Sequence, residues 1–282
     1  METRSHLTRV IVIWFVVSLI ADLLIVFGIG SNMPPGRGSA QGSDQTTANL
    51  ILTCLMIPIG VAVVAFFAYT LWTFRDRGDG DYGAPIWGHR RTEVSWVGVT
   101  TAIVITLAIY GTYALYTTSA TANGTGGAGG GQGPTPVNTP SGTPLQVQVI
   151  GQQWQFTYRY PQYGGVETFV LELPAGRTTE LHVTSLDVVH SFWAYQLGVK
   201  ADAVPGADNI AYVTPAHPMR FDIRCAELCG LWHGEMHAVG HVVTRAQFAS
   251  WIAHQRASNR YATHYLPPYG RTYYPPPERR AG

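Results

Sequence analysis

The chain has 282 residues, a formal net charge of +1 and a charged fraction of only 12%. That weak, balanced charge excludes the concentrated basic field on which nucleic-acid binding depends. The near-zero mean hydropathy of +0.06 averages two unlike halves, an apolar N-terminal region and a polar, β-patterned remainder.

Residues 1–9 form a short tail carrying Arg4 and Arg9. Three apolar runs follow, at 10–30, 50–72 and 94–116. Each has the roughly 20 residues that a helix needs to cross a bilayer. Residues 10–117 are therefore a transmembrane region of two to three helices. The count is open because the first run, with Arg ahead of it, also fits a cleaved leader. Its length and the Asp22 inside it favour a retained helix. Pro58 is tolerable within a span, where neighbouring helices can satisfy the backbone it frees. Cys54, in the same run, reads as a small core hydrophobe. Arg4 and Arg9, with Arg75, Arg77, Arg90 and Arg91 of the 73–93 loop, stand against Arg37 alone on the other side. Basic loops stay cytoplasmic, so everything after residue 117 is expected outside.

Residues 118–143 are an uncharged Gly/Thr/Pro linker. Short alternating runs at 145–151, 168–174, 179–185, 209–215, 219–225 and 237–244 then predict strands. Many short strands at this spacing indicate an all-β sandwich or small barrel. A helix is expected at 245–257, with Phe248, Trp251 and Ile252 on one face. Residues 144–257 make one domain, and 258–282 form an extended Tyr/Pro-rich tail.

The chemistry concentrates at 224–243. Cys225, Cys229, His233 and Met236 stand in a C-x3-C-x3-H-x2-M pattern, and His190 follows Asp187-Val-Val upstream. Two thiolates, two imidazoles and a thioether are a soft ligand set that suits copper. A second thiolate would let two coppers share both sulfurs. On the cysteines alone, a disulfide outside the membrane or a tetrahedral zinc site with His190 and His233 stays open. Neither makes use of Met236. His237 and His241 fall on the strand leaving the motif and read as solvated or hydrogen-bonded. His182, His217, His254 and His264 show no ligand pattern.

Cys225-Ala-Glu227-Leu-Cys229-Gly230 with His233 and Met236, and Asp187-Val-Val-His190-Ser-Phe-Trp193, resemble the CuA signature of cytochrome c oxidase subunit II. Residues 197–206 and 151–160 resemble that family's segment after the first copper His and its aromatic strand. Glu93-Val-Ser-Trp96 is similar to its E-x-x-W start of the last span. The resemblance covers about residues 48–244. It implies a cupredoxin-like Greek-key sandwich or barrel behind the transmembrane helices. It also implies a dinuclear copper centre bridged by Cys225 and Cys229, with His190, His233, Met236 and the Glu227 carbonyl completing the set. The family's Mg²⁺ at the subunit I boundary would fall to the Glu227 carboxylate, electron entry to Trp154, and the entrance of a proton pathway to Glu93. Implied partners are subunit I with its haem and second copper, subunit III, membrane lipid, and cytochrome c, soluble, membrane-tethered or in a supercomplex. The implied setting is a bacterial cell membrane crossed several times, with the copper domain on the outer face. The implied work is electron delivery for oxygen reduction coupled to proton pumping.

Three departures stand out. The first span is additional to the family's usual two. Ala207 follows Pro205-Gly206 where the family carries Arg. Residues 144–282 hold 10 acidic and 11 basic residues, so no strong attractive field stands where the family usually shows an acidic docking face. A quinol oxidase subunit would lack the copper ligands. The CuA subunit of a nitric-oxide reductase shares the copper loop. A copper-delivery cupredoxin, of a different class, would need neither the aromatic strand nor the E-x-x-W span.

Overall fold

A computed structural model describes residues 2–34, 36–75, 78, 88–122 and 143–260. Most of the predicted linker and tail (123–142 and 261–282) and Arg77 lie outside the described residues. The chain divides into two compact units, 1–33 with 47–116, and 34–46 with 117–282.

The first unit is helical. α1 (Glu2–Leu24) runs on through a π turn at Ile25–Ile29, α2 spans Ala40–Thr73 and α3 spans Arg90–Ala122. Three stretches, Ser5–Ile29, Ala40–Thr73 and Arg90–Tyr113, are long and apolar enough to cross a membrane. Their large apolar side chains are exposed along the length, as bilayer-facing surfaces require. α1 and α2 run antiparallel: His6 Nδ1 lies 2.8 Å from the Tyr69 hydroxyl, and Trp14 Nε1 donates to the Pro58 carbonyl at 2.7 Å. Both contacts pair a polar group of one helix with the other.

The second unit is a two-sheet β structure. Its strands are β1 (Leu145–Gln152), β2 (Gln155–Tyr160), β3 (Val166–Thr168), β4 (Leu171–Pro174), β5 (Thr179–Ser185), β6 (His190–Ala194), β7 (Val199–Ala203), β8 (Asn209–Val213), β9 (Met219–Cys225) and β10 (His237–Val243). They order as β3-β2-β1-β5-β8 and β4-β10-β9-β6-β7. β1–β5 and β4–β10 pair in parallel and the rest antiparallel, so the sheets are mixed. Leu145, Val147, Val149, Leu181, Val183, Phe221 and Ile223 are buried between the sheets. Each such side chain contributes roughly 1.5–3 kcal/mol relative to exposure. Phe156 meets Phe192 edge-on across the sheets at 5.8 Å.

The expected all-β sandwich behind apolar helices is present, with local corrections. The aromatic segment 151–160 is not one strand: it turns between β1 and β2, and Trp154 sits on the turn. The run 168–174 breaks at Phe169–Val170, which separates β3 from β4. β6 and β7 were not anticipated. His190–Ala194 is buried at all but Trp193, so alternation is lost, and Val199–Ala203 relies on Ala, a weak strand former. The helix after β10 is α4 (Arg245–Ser258). A reciprocal Thr244–Gln247 capping box starts it, and Phe248 and Ile252 are buried beneath it.

Residues 34–46, which lie between the first two apolar runs, belong to the β unit. Gly38 N donates to Gln196 O at 2.8 Å, and Ala216 N donates to Gly38 O at 2.8 Å. Ser39 Oγ donates to Leu197 O at 2.6 Å, and Gln41 Nε2 to Tyr212 O at 3.0 Å. Gly198, at φ +66°, comes so close to Gly42 that a Cβ there would sit 2.6 Å from its nitrogen. Only glycine allows both that conformation and that approach.

Candidate metal centre

Three chain reversals meet at one end of the β unit: the β1–β2 turn, the β5–β6 loop and the β9–β10 loop. The pairing Phe192↔Cys225 sets the start of β6 beside the end of β9. His190 thereby reaches Cys225 although 35 residues separate them. His190 Nδ1 lies 3.9 Å from Cys225 Sγ, and the two sulfurs of Cys225 and Cys229 lie 3.8 Å apart. His233 Nδ1 is 3.5 Å and Met236 Sδ 3.7 Å from Cys229 Sγ, while the Glu227 carbonyl is 3.2 Å from Cys225 Sγ. Six donor atoms thus converge, from the residues that the sequence pattern singled out.

Cys225, Cys229, His190 and Met236 are buried, and both cysteines are free thiols. The ligand atoms of His190, Cys225 and Cys229 lie within 4.8 Å of one another, so this trio could hold a metal ion. Burial pushes the Cys229 thiol up to about 12, and the neighbouring Cys225 adds to the rise. At neutral pH that thiol keeps its proton until a cation replaces it. The set fits soft metal ions: sulfur and imidazole donors, with both cysteine sulfurs on buried residues and a thioether that zinc would not need.

The surroundings hold this set in place. Asp187 Oδ1 lies 2.8 Å from His190 Nε2. A carboxylate only accepts, so Nε2 carries the proton and the Nδ1 lone pair faces the sulfurs. Asp187 also accepts from Gln153 N at 2.7 Å and Val188 N at 2.6 Å. Desolvation works against its charge, yet the Gln153, His190 and Val188 hydrogen bonds together hold its carboxyl below the usual range. Gly151 backs the imidazole: a Cβ there would lie 3.0 Å from His190 Cδ2. Gln153 Nε2 and Trp154 Nε1 both donate to the Cys229 carbonyl, at 2.9 and 3.2 Å. Gly151 and Gln153 stood in the sequence only inside the 151–160 aromatic segment, with no role at the site assigned to either. The G-Q-Q-W run beside a ligand-bearing loop was the available signal.

Trp154 is half-buried against this loop. The Glu227 side chain is exposed. Glu93 belongs to the helical unit, where it accepts from His89 N at 3.1 Å in the first turn of α3. His241 lies 3.4 Å from Glu172, and buried His182 lies 3.1 Å from Asp208, both away from the donor cluster.

Several known proteins are similar to this chain. The family model for the periplasmic domain of cytochrome c oxidase subunit II matches residues 167–243. Cytochrome c oxidase subunit 2 of Synechocystis sp. is 27% identical over 263 residues, 80% of this chain and 77% of that protein. The protein of the same name from Thermostichus vulcanus is 28% identical over 284 residues, 87% of this chain and 86% of its own length. Among solved structures, the periplasmic domain of cytochrome oxidase subunit II from Bradyrhizobium japonicum is 30% identical, with 40% of this chain and 94% of that one covered at a TM-score of 0.39. Two such relatives align over most of the chain, and the family's domain model lies across the very strands that carry the donor cluster, so this chain is similar to cytochrome c oxidase subunit II along most of its length.

Proposed function

We propose that the chain works as the electron-accepting subunit of a haem–copper oxidase, its donor cluster binding two coppers and relaying electrons from a cytochrome c to the haem-bearing subunit I. The convergence of six donor atoms from His190, Cys225, Glu227, Cys229, His233 and Met236 carries this reading. Subunit II relatives favour it over a nitric-oxide reductase subunit or a copper-delivery protein. Bound copper, held by the Cys225 and Cys229 thiolates with His190, His233, Met236 and the Glu227 carbonyl, would supply a one-electron carrier whose bonds change little on transfer. The residues of the chain keep that change small. Asp187 and Gly151 fix the His190 ring, and Gln153 and Trp154 tie down the Cys229 carbonyl. Burial of both sulfurs excludes water, whose reorganisation would slow transfer.

Trp154 is proposed as the entry point, since its indole bridges the outer turn to the Cys229 carbonyl. The exposed Glu227 carboxylate is proposed to help hold Mg²⁺ against subunit I, which would supply the remaining ligands. Glu93 is proposed as a proton-pathway entrance in the helical unit, and the helices as spans that leave the β unit on the outer face. Subunit III completes the proposed assembly. The donor would meet a mainly apolar rim, because Leu186, Leu231 and Trp232 are 60%, 83% and 54% exposed around the loops. Leu186 N bonds to Gly151 O, which places Leu186 beside the turn bearing Trp154.

Metal analysis of the purified full chain, paired with electron paramagnetic resonance, tests the reading. Two coppers per chain sharing one unpaired electron are expected. One metal per chain, zinc, or a Cys225–Cys229 disulfide would overturn it.

A further inference from the structure

The same unit has a cavity at its other end. It measures about 420 Å³ and opens where β1 and β5 begin and β4 and β10 end. The donor cluster, by contrast, lies where β1 and β5 end and β10 begins. Two cationic side chains line the cavity, Arg177 from the β4–β5 turn and Arg245 from the start of α4. Both are fixed by backbone carbonyls: Arg245 Nη2 donates to Gly176 O at 2.9 Å, and Arg177 Nη2 to Thr143 O at 3.3 Å. Among the described residues neither guanidinium forms an ion pair, and no acidic side chain lines the cavity. A guanidinium has five N–H donors, so one carbonyl leaves most of its capacity unused. The opposing surface is apolar. Tyr163 and Phe248 set their rings 5.8 Å apart, with Pro144 and Pro174 also facing the cavity.

Two anchored cations beside an aromatic wall complement one chemical class. Planar guanidinium matches carboxylate by paired, charge-assisted hydrogen bonds, and the rings take an apolar body. We propose that this cavity binds a small organic acid, a carboxylate carried on an aromatic or short aliphatic body. The site uses no metal and does not depend on the copper reading.

Ligand-observed fluorine NMR of the copper-loaded full chain, held in zwitterionic nanodiscs, tests this with 4-(trifluoromethyl)benzoate as probe and its neutral amide as control. The acid is expected to broaden in a saturable manner and the amide not to. Arg177→Gln and Arg245→Gln should each weaken binding about tenfold or more, the usual effect of losing a hydrogen bond to a charged group. Ala249→Trp, on the exposed helix surface lining the cavity, should abolish binding by filling it. Unchanged far-ultraviolet circular dichroism and unfolding temperature of the variants show that the fold survives. Equal broadening by acid and amide would overturn the proposal, as would wild-type affinity in both arginine variants. Binding to the isolated chain but not to the assembled oxidase would also overturn it, since another chain would then fill the cavity.

Discussion

At the scale of single residues, the donor cluster depends on side chains that donate nothing to a metal. Asp187 supports His190 from the far side of the ring, and loss of such a partner commonly weakens metal affinity about 10–100-fold. Asp187→Ala is therefore expected to release copper to a competing chelator at concentrations lower by that factor, while Asp187→Asn, which can still accept, falls between. Gly151 makes a steric demand instead. Its neighbour His190 would have to yield a few tenths of an ångström to any Cβ. Gly151→Ala should shift the visible absorption of the copper-loaded protein with at most about 1–3 kcal/mol lost from unfolding stability. An unaltered spectrum would mean that the imidazole does not rest on this glycine.

At the scale of elements, the turn at Tyr195–Leu197 joins three parts of the β unit. It follows β6, takes the 34–46 segment through Gln196 O and Leu197 O, and reaches β9 through Asp222. Asp222 accepts from the Tyr195 hydroxyl at 2.8 Å and from Gln196 Nε2 at 3.1 Å. These hydrogen bonds, Tyr195 first, hold its carboxyl below the ordinary 3.8, with Arg220 and Arg224 adding to the effect. A carboxyl lowered by folding stabilises the native state above its unfolded value, and that contribution disappears as pH falls through the folded one. Asp222→Asn should therefore lower the unfolding temperature at neutral pH. The gap from wild type should close as pH drops below 3.8. A gap that stays constant across the acid range would assign the effect to packing.

At the scale of the whole molecule, the balanced charge and the apolar rim bear on how a donor docks. Electrostatic steering shows as an association rate that falls steeply with salt. With Leu186, Leu231 and Trp232 exposed and no acidic excess after residue 144, turnover of the assembled oxidase with the proposed cytochrome c donor should change little from low to physiological ionic strength. A steep fall would require an acidic docking surface elsewhere in the complex. The placement of 34–46 also fits the charge argument about topology. Arg bias gave the expectation that the connection between the first two apolar runs lies on the same side as the residues after 117, and the structure builds that connection into the β unit.

The sequence alone determined what depends on local composition and spacing. Apolar runs of spanning length marked the three helices, period marked α4 with Phe248 and Ile252, and C-x3-C-x3-H-x2-M named four donors close enough in the chain for one loop to present. Tertiary structure decided whatever depends on pairing across long separations. β6 beside β9 carries His190 to Cys225, parallel β1–β5 pairing sets the G-Q-Q-W turn under the loop, and Gly42 against Gly198 closes the 34–46 contact. Register and close packing create these meetings, and neither leaves a periodic trace when a strand such as β6 is covered on both faces.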